Sequence, residues 1–474
     1  MADSLLLRKP SLAPKLDPDF RPAALGYRAF TQEVDACGGG EPVTLALTRA
    51  RGEVAHFATA LLPDGHPSSK DNLPFVERLV KQLLWQMGAF RLHVAGPEEV
   101  TRFLARAYAP GGVRAFDAAF FAQVYGVPRF SVEQATSSSL PPVSERRERV
   151  GGHLEGCRIG FDAGGSDRKV AAVIDGKEVF SCEVVWHPKQ ATDAQYHVDG
   201  VEDSIRRAAA HLPRVDAIGV SSAGIYVDNE TRVASLFRRV APADFEAKIR
   251  TLYPDLAKKW GDVPLVVAND GDVSALAGAL SLGLRPVLGL ALGTSEAAGY
   301  VDGEGLITGW LNELAFAPVD YSPSAPVDHE WSGDRGTGAL YFSQEAVVRL
   351  APRAGIALAA DASPADKLAH VQALMAQGDA RAHAVFESIG SYVGYGLLHY
   401  SSFYDLGHVL LLGRVMSGAG GALVAERARD VLREHDPALA ARAGVHLPDE
   451  TSRRVGQAIA AASLPKLRRG SPCS

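Results

Sequence analysis

The sequence predicts an α/β protein that contains a duplicated unit, preceded by a smaller α/β module. Three observations support this prediction: a strand, glycine turn and hairpin occur twice, polar residues end a buried strand between the two copies, and a polar segment follows the N-terminal module. The 474 residues are enough for two or three domains with substantial cores.

Composition and charge restrict the classes of function. Hydrophobic residues make up 47% of the chain and charged residues 22%, and 49 Lys and Arg against 55 Asp and Glu give a net charge of −6. Such a chain has no general attraction to nucleic acid or anionic lipid. No stretch approaches the roughly 18 apolar residues of a membrane span, or the apolar core of a signal peptide. We therefore expect a cytoplasmic protein that binds neither nucleic acid nor a membrane.

The cysteines give no sign of a disulfide framework. Cys37, Cys157, Cys182 and Cys473 stand singly, and no C-x-x-C pair occurs. The sequence therefore predicts neither disulfides nor a zinc site built from cysteines.

The N-terminal module shows strand and helix patterns but no catalytic motif. Alternating apolar residues predict strands over 43–48 and 54–61, and apolar residues at helical spacing predict a helix capped by Asn72. Trp85 and the aromatic residues near 116–125 fit either a ligand groove or core packing. Core packing is the better interpretation, since large aromatic side chains are mostly buried.

Residues 136–152 are predicted to form a linker after this module. The segment reads TSSSLPPVSERRERVGG, in which serines, prolines and charges leave nothing to bury. Arg146, Arg147 and Arg149 alternate with glutamates, which is typical of a solvated charged segment rather than a nucleic-acid site.

The same local pattern occurs twice, 129 residues apart. Gly160 to Ser166 reads GFDAGGS and Gly289 to Ser295 reads GLALGTS, and each is followed by a strand and an Asp-Gly turn. A turn of small residues between two strands exposes backbone N–H groups, which can bind phosphate oxygens. Two such turns would hold a polyphosphate. The candidate phosphate-binding residues are Gly164, Gly165, Ser166, Gly293, Thr294 and Ser295.

The two copies differ at one chemically important position, where the first has Asp162 and the second has Ala291. A single carboxylate beside bound phosphates suits one Mg²⁺ held by an acid, waters and phosphate oxygens, and Asp162 is the candidate for that role. The alternative is an aspartate that only bonds the N–H groups of the following turn.

Between the copies, the buried strand over 265–269 is followed by polar residues. Asn269 and Asp270 lie at its carboxyl end, where α/β sheets place their ligands. An amide and a carboxylate could fix a sugar hydroxyl and remove its proton, as phosphoryl transfer to an alcohol requires. The pair alone is also typical of a helix cap or a turn.

These motifs together resemble the ROK family of sugar kinases and repressors, within the actin-like, hexokinase and heat-shock ATPase fold. The order and spacing of four motifs agree over about two-thirds of the chain, from about Gly156 to Leu464. The motifs are Asp162 to Ser166, similar to the first phosphate loop D-x-G-G-T; Ala268 to Asp272, similar to E-N-D-A-N; Gly293 to Ser295, similar to the second phosphate loop; and Gly309 to Leu314, similar to the segment that ends in G-E-I-G-H.

The resemblance implies a two-lobed actin-like ATPase fold, of the duplicated ribonuclease H-like type, with a small N-terminal α/β domain added. The expected divisions are an N-terminal domain over 1–135, the linker over 136–152, a first lobe over 153–283, a second lobe over 284–466 and a tail over 467–474. Family members are commonly dimers or tetramers, so a homo-oligomer is expected.

The resemblance also implies ATP- and Mg²⁺-dependent phosphoryl transfer to a hydroxyl of a sugar or related polyol. In the family roles, Asp270 is the general base, and Asn269 and Glu313 bind sugar hydroxyls. The two glycine loops hold ATP, and Asp162 organises Mg²⁺ through water. Gly413 follows the strand that precedes the adenosine loop.

Three departures from the family pattern affect these expectations. The family's zinc signature, a His followed by C-x-C-G-x-x-G-C, falls on Phe316 and on 332–337, where no His or Cys occurs, so no structural zinc is expected. The family's further sugar-binding Glu and His have no equivalent. The adenosine loop lacks its glycine run after Gly413, and Ser417 to Gly421 is the alternative. The nearby polar residues expected at the surface are His329, Glu330 and Asp334.

The runner-up hypothesis is a sugar-sensing regulatory protein that uses the same residues without catalysis. Family repressors have an N-terminal helix-turn-helix, and the strand-like residues 43–61 do not fit one. A third hypothesis, an actin-like or chaperone-type ATPase, is disfavoured because Asn269, Asp270 and Glu313 match the sugar-binding pattern.

Overall fold

The structure is a computed structural model that describes residues 4–145, 150–448 and 450–467, with the backbone alone for 450–455. The fold is mixed α/β, as predicted, and the chain divides into two compact units. Unit 1 comprises Met1–Arg146, Leu290–Ala298 and Gly309–Leu447, and unit 2 comprises Arg147–Gly289, Gly299–Thr308 and Pro448–Ser474. The linker arginines at 146, 147 and 149 and the tail from residue 468 onward lie outside the described residues.

The N-terminal module forms a four-stranded sheet in the order β2-β1-β3-β4. Its strands are β1 (Glu41–Thr48), β2 (Val54–Leu61), β3 (Arg91–Ala95) and β4 (Ser131–Ala135). Strand β1 pairs antiparallel with β2 and β3, and β4 pairs parallel with β3. The two predicted strands are therefore confirmed, and the first begins two residues earlier than predicted. Its helices are α1 (Ala23–Ala36), α2 (Asn72–Met87), α3 (Glu98–Ala107) and α4 (Ala115–Tyr125).

Helix α2 is the buried centre of this module. It begins at Asn72, as the apolar spacing predicts, but the Asn72 side chain does not cap it: the amide bonds the N–H and the C=O of Leu62 instead. Trp85 is fully buried among the aromatic side chains of α4, which confirms core packing over a ligand groove.

Unit 2 contains a five-stranded sheet in the order β11-β8-β5-β6-β7. Strands β5, β8 and β11 are parallel, and β6 and β7 are antiparallel additions at one edge. The strands of this region are β5 (Cys157–Ala163), β6 (Asp167–Ile174), β7 (Lys177–Val185), β8 (Ala217–Ser222), β9 (Ile225–Val227), β10 (Glu230–Val233) and β11 (Leu265–Asn269). The helices are α5 (Ala194–Ala209), α6 (Pro242–Asp244), α7 (Leu252–Lys259) and α8 (Asp270–Leu282).

A second four-stranded sheet has the order β13-β12-β14-β15. Its strands are β12 (Val287–Leu292), β13 (Glu296–Val301), β14 (His408–Leu412) and β15 (Gly444–His446). The duplication is incomplete here, because a single bridge between Val301 and Ile307 stands where the first copy has strand β7. The helices of this region are α9 (Gln344–Arg353), α10 (Pro364–Ala376), α11 (Ala380–Tyr400), α12 (Gly418–His435) and α13 (Pro437–Arg442).

The closing helix α14 (Glu450–Ala462) belongs to unit 2 and lies across β5 and β8. A Cβ built on Gly160 would lie 1.8 Å from the carbonyl oxygen of Ala458, and one built on Gly219 would lie 1.7 Å from that of Ala461. Both strands therefore need glycine where the helix backbone crosses them. None of the helices in the described part of the chain has the length and apolar character of a membrane span.

The division of the chain differs from the predicted boundaries at both ends. The N-terminal module clusters with residues 309–447 in unit 1, because its first residues are bonded to α9 and α11. The buried Asp17 carboxylate accepts hydrogen bonds from Arg349 and Arg353 at 3.0 Å and from the Tyr392 hydroxyl at 2.5 Å. At the other end, α14 returns to unit 2 although it lies within the span predicted for the second lobe.

Candidate active site

The parallel strands of unit 2 bring several predicted residues to one sheet edge. The strands β5, β8 and β11 end together, and the pairing places Asp162 beside Ser221 and Ser222 beside Asn269. Carboxyl ends of parallel strands are the usual ligand-binding edge of an α/β sheet. Four predicted residues, Asp162, Gly164, Asn269 and Asp270, therefore lie at or just beyond this edge.

Asp162 is a buried carboxylate held by its neighbour on β8. Its Oδ1 accepts a hydrogen bond of 2.7 Å from the Ser221 hydroxyl, which in turn accepts one of 3.2 Å from Gln457 Nε2. Burial raises the pKa of Asp162 to about 6, although Ser221 and the charge of Lys169 oppose the shift. The hydrogen bond that the structure gives Asp162 goes to Ser221 rather than to the following turn, which argues against the turn-bonding alternative.

Asn269 and Asp270 form the start of helix α8. Asn269 is the N-cap: its Oδ1 accepts the Gly271 N–H at 2.7 Å, and its Nδ2 donates to the Gly224 carbonyl at 2.8 Å. Burial raises the pKa of Asp270, opposed by two backbone N–H groups and by the charge of Lys189. A carboxylate whose pKa is shifted toward neutrality suits a general base.

The first glycine loop connects β5 to β6 in three residues, Gly164, Gly165 and Ser166. A Cβ on Gly164 would lie 2.7 Å from the Asp167 carbonyl oxygen, so the turn needs glycine there. The carbonyls of Gly164 and Ser166 accept hydrogen bonds from Trp186. Among the described residues the N–H groups of Gly165 and Ser166 have no acceptor, so they are available to a phosphate.

Sequence reasoning missed Lys189, which lies over this loop. A Cβ on Gly165 would be 3.1 Å from Lys189 Cε and 3.3 Å from Nζ, and the charge of Lys189 also acts on Asp270. No residue that the structure describes forms an ion pair with Lys189. No pattern in the sequence pointed to Lys189, and Asp167, the residue that follows the loop, pairs with Lys169 at 2.9 Å.

Unit 1 holds the second glycine loop, Gly293 to Ser295, between β12 and β13. Thr294 and Ser295 are exposed, and the Gly293 carbonyl accepts the Gln344 N–H at the start of α9. Gly413 has a φ of 92°, and a Cβ there would lie 2.4 Å from the carbonyl oxygen of Leu292, the last residue of β12. The structure thus brings Gly413 beside the second loop.

The alternative adenosine segment, Ser417 to Gly421, is not a loop. Its glycines form the first turn of α12, where a Cβ on Gly420 would meet the Phe386 ring and one on Gly421 would meet the Met416 carbonyl. Close packing therefore explains these two glycines without a ligand.

The charge of Glu313 acts on a second carboxylate, Glu296, that the sequence analysis did not select. The Glu296 side chain is 4% exposed. Burial and the charge of Glu313 raise its pKa to about 8, although the hydrogen bond that it accepts from the Tyr400 hydroxyl acts to lower the pKa. Its Oε2 has no hydrogen-bond partner. A lone glutamate at the start of an otherwise apolar strand was the signal that could have identified it.

The predicted site residues fall into two groups. Unit 2 contains Asp162, Gly164, Gly165, Ser166, Asn269 and Asp270, together with Lys189. Unit 1 contains Gly293, Thr294, Ser295, Glu313 and Gly413, together with Glu296.

The residues at the position of the family's zinc signature do not fit a structural zinc. Phe316 stacks on a buried tryptophan, and 332–337 contain no thiol or imidazole. Asp334 is engaged by Arg114 at 2.5 Å and by Lys81 at 3.2 Å. The prediction that Asp334 has only a surface role is therefore wrong, because these cations bind it in a largely buried position, whereas His329 and Glu330 are exposed as predicted.

Within the described ranges, one group of side chains is close enough to share a metal ion: Glu33, Cys37 and His66. Nδ1 of His66 accepts the Ser68 N–H at 3.1 Å, so a neutral ring has its proton on Nε2. That nitrogen lies 3.2 Å from Glu33 Oε1 and donates to it. The imidazole is therefore used as a hydrogen-bond donor to the glutamate.

Comparison with known proteins identifies the fold. No protein-family model matches the sequence, and no curated protein is similar to it. Among solved structures, a ROK-family transcriptional regulator, a homologue of the E. coli Mlc protein, is 17% identical with a TM-score of 0.53 over 78% of this chain and 89% of that one. The ROK hexokinase from Thermus thermophilus is 20% identical with a TM-score of 0.50 over 65% and 97%.

A ROK glucokinase from Streptomyces griseus, in complex with glucose and AMPPNP, is 22% identical with a TM-score of 0.49 over 65% of this chain and 99% of that one. At these identities the likeness is one of fold. The regulator and the Thermus hexokinase, with TM-scores of 0.53 and 0.50, therefore show that the chain has the actin-like ATPase fold of ROK-family proteins.

Proposed function

We propose that the protein is a kinase that uses ATP and Mg²⁺ to phosphorylate a hydroxyl of a sugar or related polyol. The observation that supports this most directly is the sheet edge of unit 2. There Asp270 has a raised pKa, and it lies with buried Asp162 and a glycine loop whose N–H groups are available.

Asp270 acts as the general base in this proposal. The hydroxyl of the substrate loses its proton to the Asp270 carboxylate as its oxygen attacks the transferred phosphorus. The raised pKa makes the carboxylate a stronger base than an exposed aspartate. Asn269 positions its neighbour through the helix cap and offers its amide to the sugar. Glu313, in unit 1, is proposed to bind a sugar hydroxyl.

In unit 2 the glycine loop of Gly164, Gly165 and Ser166 binds phosphate through its available N–H groups. In unit 1 the loop of Gly293, Thr294 and Ser295 is a phosphate-binding turn of the same kind. Lys189 supplies a positive charge to the transferred phosphoryl group. Gly413, beside the second loop, borders the adenosine.

Asp162 fits a magnesium site. With a pKa of about 6 it is largely ionised at neutral pH, and no described residue donates to its second oxygen. Bound Mg²⁺ would neutralise phosphate charge, and Asp162 would orient its water ligands.

The experiment is a thermal-shift screen against hexoses, N-acetylhexosamines and polyols, with and without Mg·ATP, followed by coupled ADP release on each hit. Asp270→Asn should lower turnover at least about a hundredfold while sugar stabilisation remains. Asp262→Asn, an exposed aspartate in the loop before β11, is the matched control. Retained turnover in Asp270→Asn would exclude this residue as the base.

A second candidate function is a sugar-sensing regulator. The solved structure with the TM-score of 0.53 is a ROK transcriptional regulator, and it covers 78% of this chain. The same screen separates the two functions: a sugar that stabilises the protein without ADP release supports the sensor.

A further inference from the structure

Helix α2 of the N-terminal module is bonded directly to the segment that contains Glu313. The last turn of a helix leaves backbone carbonyls without partners inside the helix. Here the Trp85 carbonyl accepts the Glu313 N–H and the Gln86 carbonyl accepts the Asn312 N–H, both at 2.9 Å. The end of α2 therefore fixes the backbone at the residue proposed to bind the sugar.

The side chain of Trp85 holds the same segment through an aromatic contact. Its ring stacks on Phe316 with centroids 4.3 Å apart and an interplanar angle of 26°. The indole N–H donates to Asp117 Oδ1 at 3.2 Å, which fixes the ring in place. Phe316 lies three residues after Glu313, at the end of the short helical turn Leu314–Phe316 that Glu313 precedes. Stacking thus anchors the far end of the segment to the same tryptophan.

A set of buried charges ties α2 to the loop that follows this segment in the chain. The buried ionic cluster consists of Glu77, Arg78, Lys81, Arg114, Asp117 and Asp334, with three charges of each sign. Lys81 is fully buried and contacts Asp117 at 2.9 Å and Asp334 at 3.2 Å. Arg114 contacts Asp334 at 2.5 Å and also bonds Glu77.

The charges of the cluster depend on one another. Burial acts to raise the pKa of Asp334, but Lys81 and Arg114 outweigh it and lower the pKa. Removing one member leaves an uncompensated charge among buried groups, which is strongly unfavourable. The cluster therefore holds Asp334, and with it the loop 328–337, against α2.

We infer that the N-terminal module is a positioning element for the substrate: α2 and the buried ionic cluster hold Asn312 to Phe316 so that Glu313 meets the sugar. In the family pattern a zinc signature falls on Phe316 and 332–337, and here those positions are bonded to the module instead. The inference rests on the proposed role of Glu313. Trp85, Phe316 and Asp334 act through Glu313 and are positioning residues.

The test compares Asp334→Asn, which unbalances the buried ionic cluster, with Glu330→Gln, an exposed carboxylate of the same loop. Phe316→Leu, which removes the stacking and keeps an apolar side chain, serves if Asp334→Asn does not fold. We expect the KM for the panel sugar that gives ADP release to rise about tenfold or more, with the KM for Mg·ATP unchanged. A loss of folded protein alone would lower the apparent kcat and leave both KM values as they are.

Hydrogen–deuterium exchange gives a readout that needs no substrate. The amides of Asn312 and Glu313 should exchange faster in Asp334→Asn and in Phe316→Leu than in the wild type, and Glu330→Gln should match the wild type. If no sugar of the panel binds, the proposed function fails. The exchange rates of the Asn312 and Glu313 amides then decide whether the N-terminal module positions the segment from Asn312 to Phe316. Unchanged exchange, or faster exchange with an unchanged KM for the sugar, would overturn the inference.

Discussion

Glu296 gives a prediction about stability whose size follows from the structure. Its pKa is raised from an ordinary 4.5 to about 8, because the carboxyl is buried and the charge of Glu313 adds to the shift. At a pH between these two values, Glu296 keeps its proton in the folded chain and releases it in the unfolded chain. The free energy of unfolding therefore falls by about 1.4 kcal/mol for each unit by which the pH rises across this window. The contribution of protonated Glu296 to stability is fully present only below about pH 4.5.

Replacing Glu296 by glutamine removes this dependence. An amide matches the protonated carboxyl in shape, and its oxygen can still accept from Tyr400. At pH 7 the wild type is 2.5 units above the ordinary pKa, so Glu296→Gln should be more stable by about 3 kcal/mol. At pH 5 the gap should fall below about 1 kcal/mol.

The assay is urea unfolding at pH 5, 6, 7 and 8, followed by tryptophan fluorescence. Three of the five tryptophans, Trp85, Trp310 and Trp331, lie in unit 1 with Glu296, so the signal includes the relevant unit. Glu426→Gln, an exposed glutamate on α12, is the control and should show no pH-dependent gap. Asp162 and Asp320, whose pKa values are also raised, cancel in the difference between variant and wild type. A gap that stays constant with pH, or a variant less stable at pH 7, would show that Glu296 is ionised in the folded protein.

Two further substitutions test a ligand contact and a packing contact. Lys189→Met should raise the KM for Mg·ATP about tenfold, because it removes the positive charge that contacts the phosphate, and Lys189→Arg should keep the KM near the wild-type value. The control Lys177→Met, at an exposed lysine, should leave the KM unchanged. An equal rise in KM for the arginine and methionine variants would contradict a role for charge. Gly219→Ala should lower the free energy of unfolding by at least about 2 kcal/mol, because its Cβ would fall 1.7 Å from the Ala461 carbonyl. Gly303→Ala, where nothing lies within 4 Å, is its control; equal melting temperatures for both variants would refute the packing argument.

Local patterns predicted the elements that position the site. The apolar strand before Asn269, the glycine loop after Asp162 and the helical spacing of α2 are each properties of neighbouring residues, and the structure has each element at its expected place. The resemblance led to the fold, because the order and spacing of four motifs along the chain reflect the duplication.

What the sequence could not give are contacts between distant segments. Lys189 lies near Gly165 because β7 returns along β6, and the charge of Glu313 acts on Glu296 because the chain doubles back after β13. Asp334 reads as a surface aspartate until helix α2 brings Lys81 to it. Each case pairs an ordinary residue with a partner that only the folded chain supplies, and local patterns contain no information about such partners.

The duplicated glycines show how packing and ligand binding can be separated. The first glycine of each copy is explained by packing, since Gly160 lies under α14 and Gly289 lies under Ala275 of α8. Gly164 is required by the turn itself. Gly293 is different: its φ is not in the left-handed region, and a Cβ there would meet no atom of the described chain closer than 3.5 Å. The protein itself therefore does not require glycine at this position, which agrees with the proposal that this loop leaves room for a phosphate.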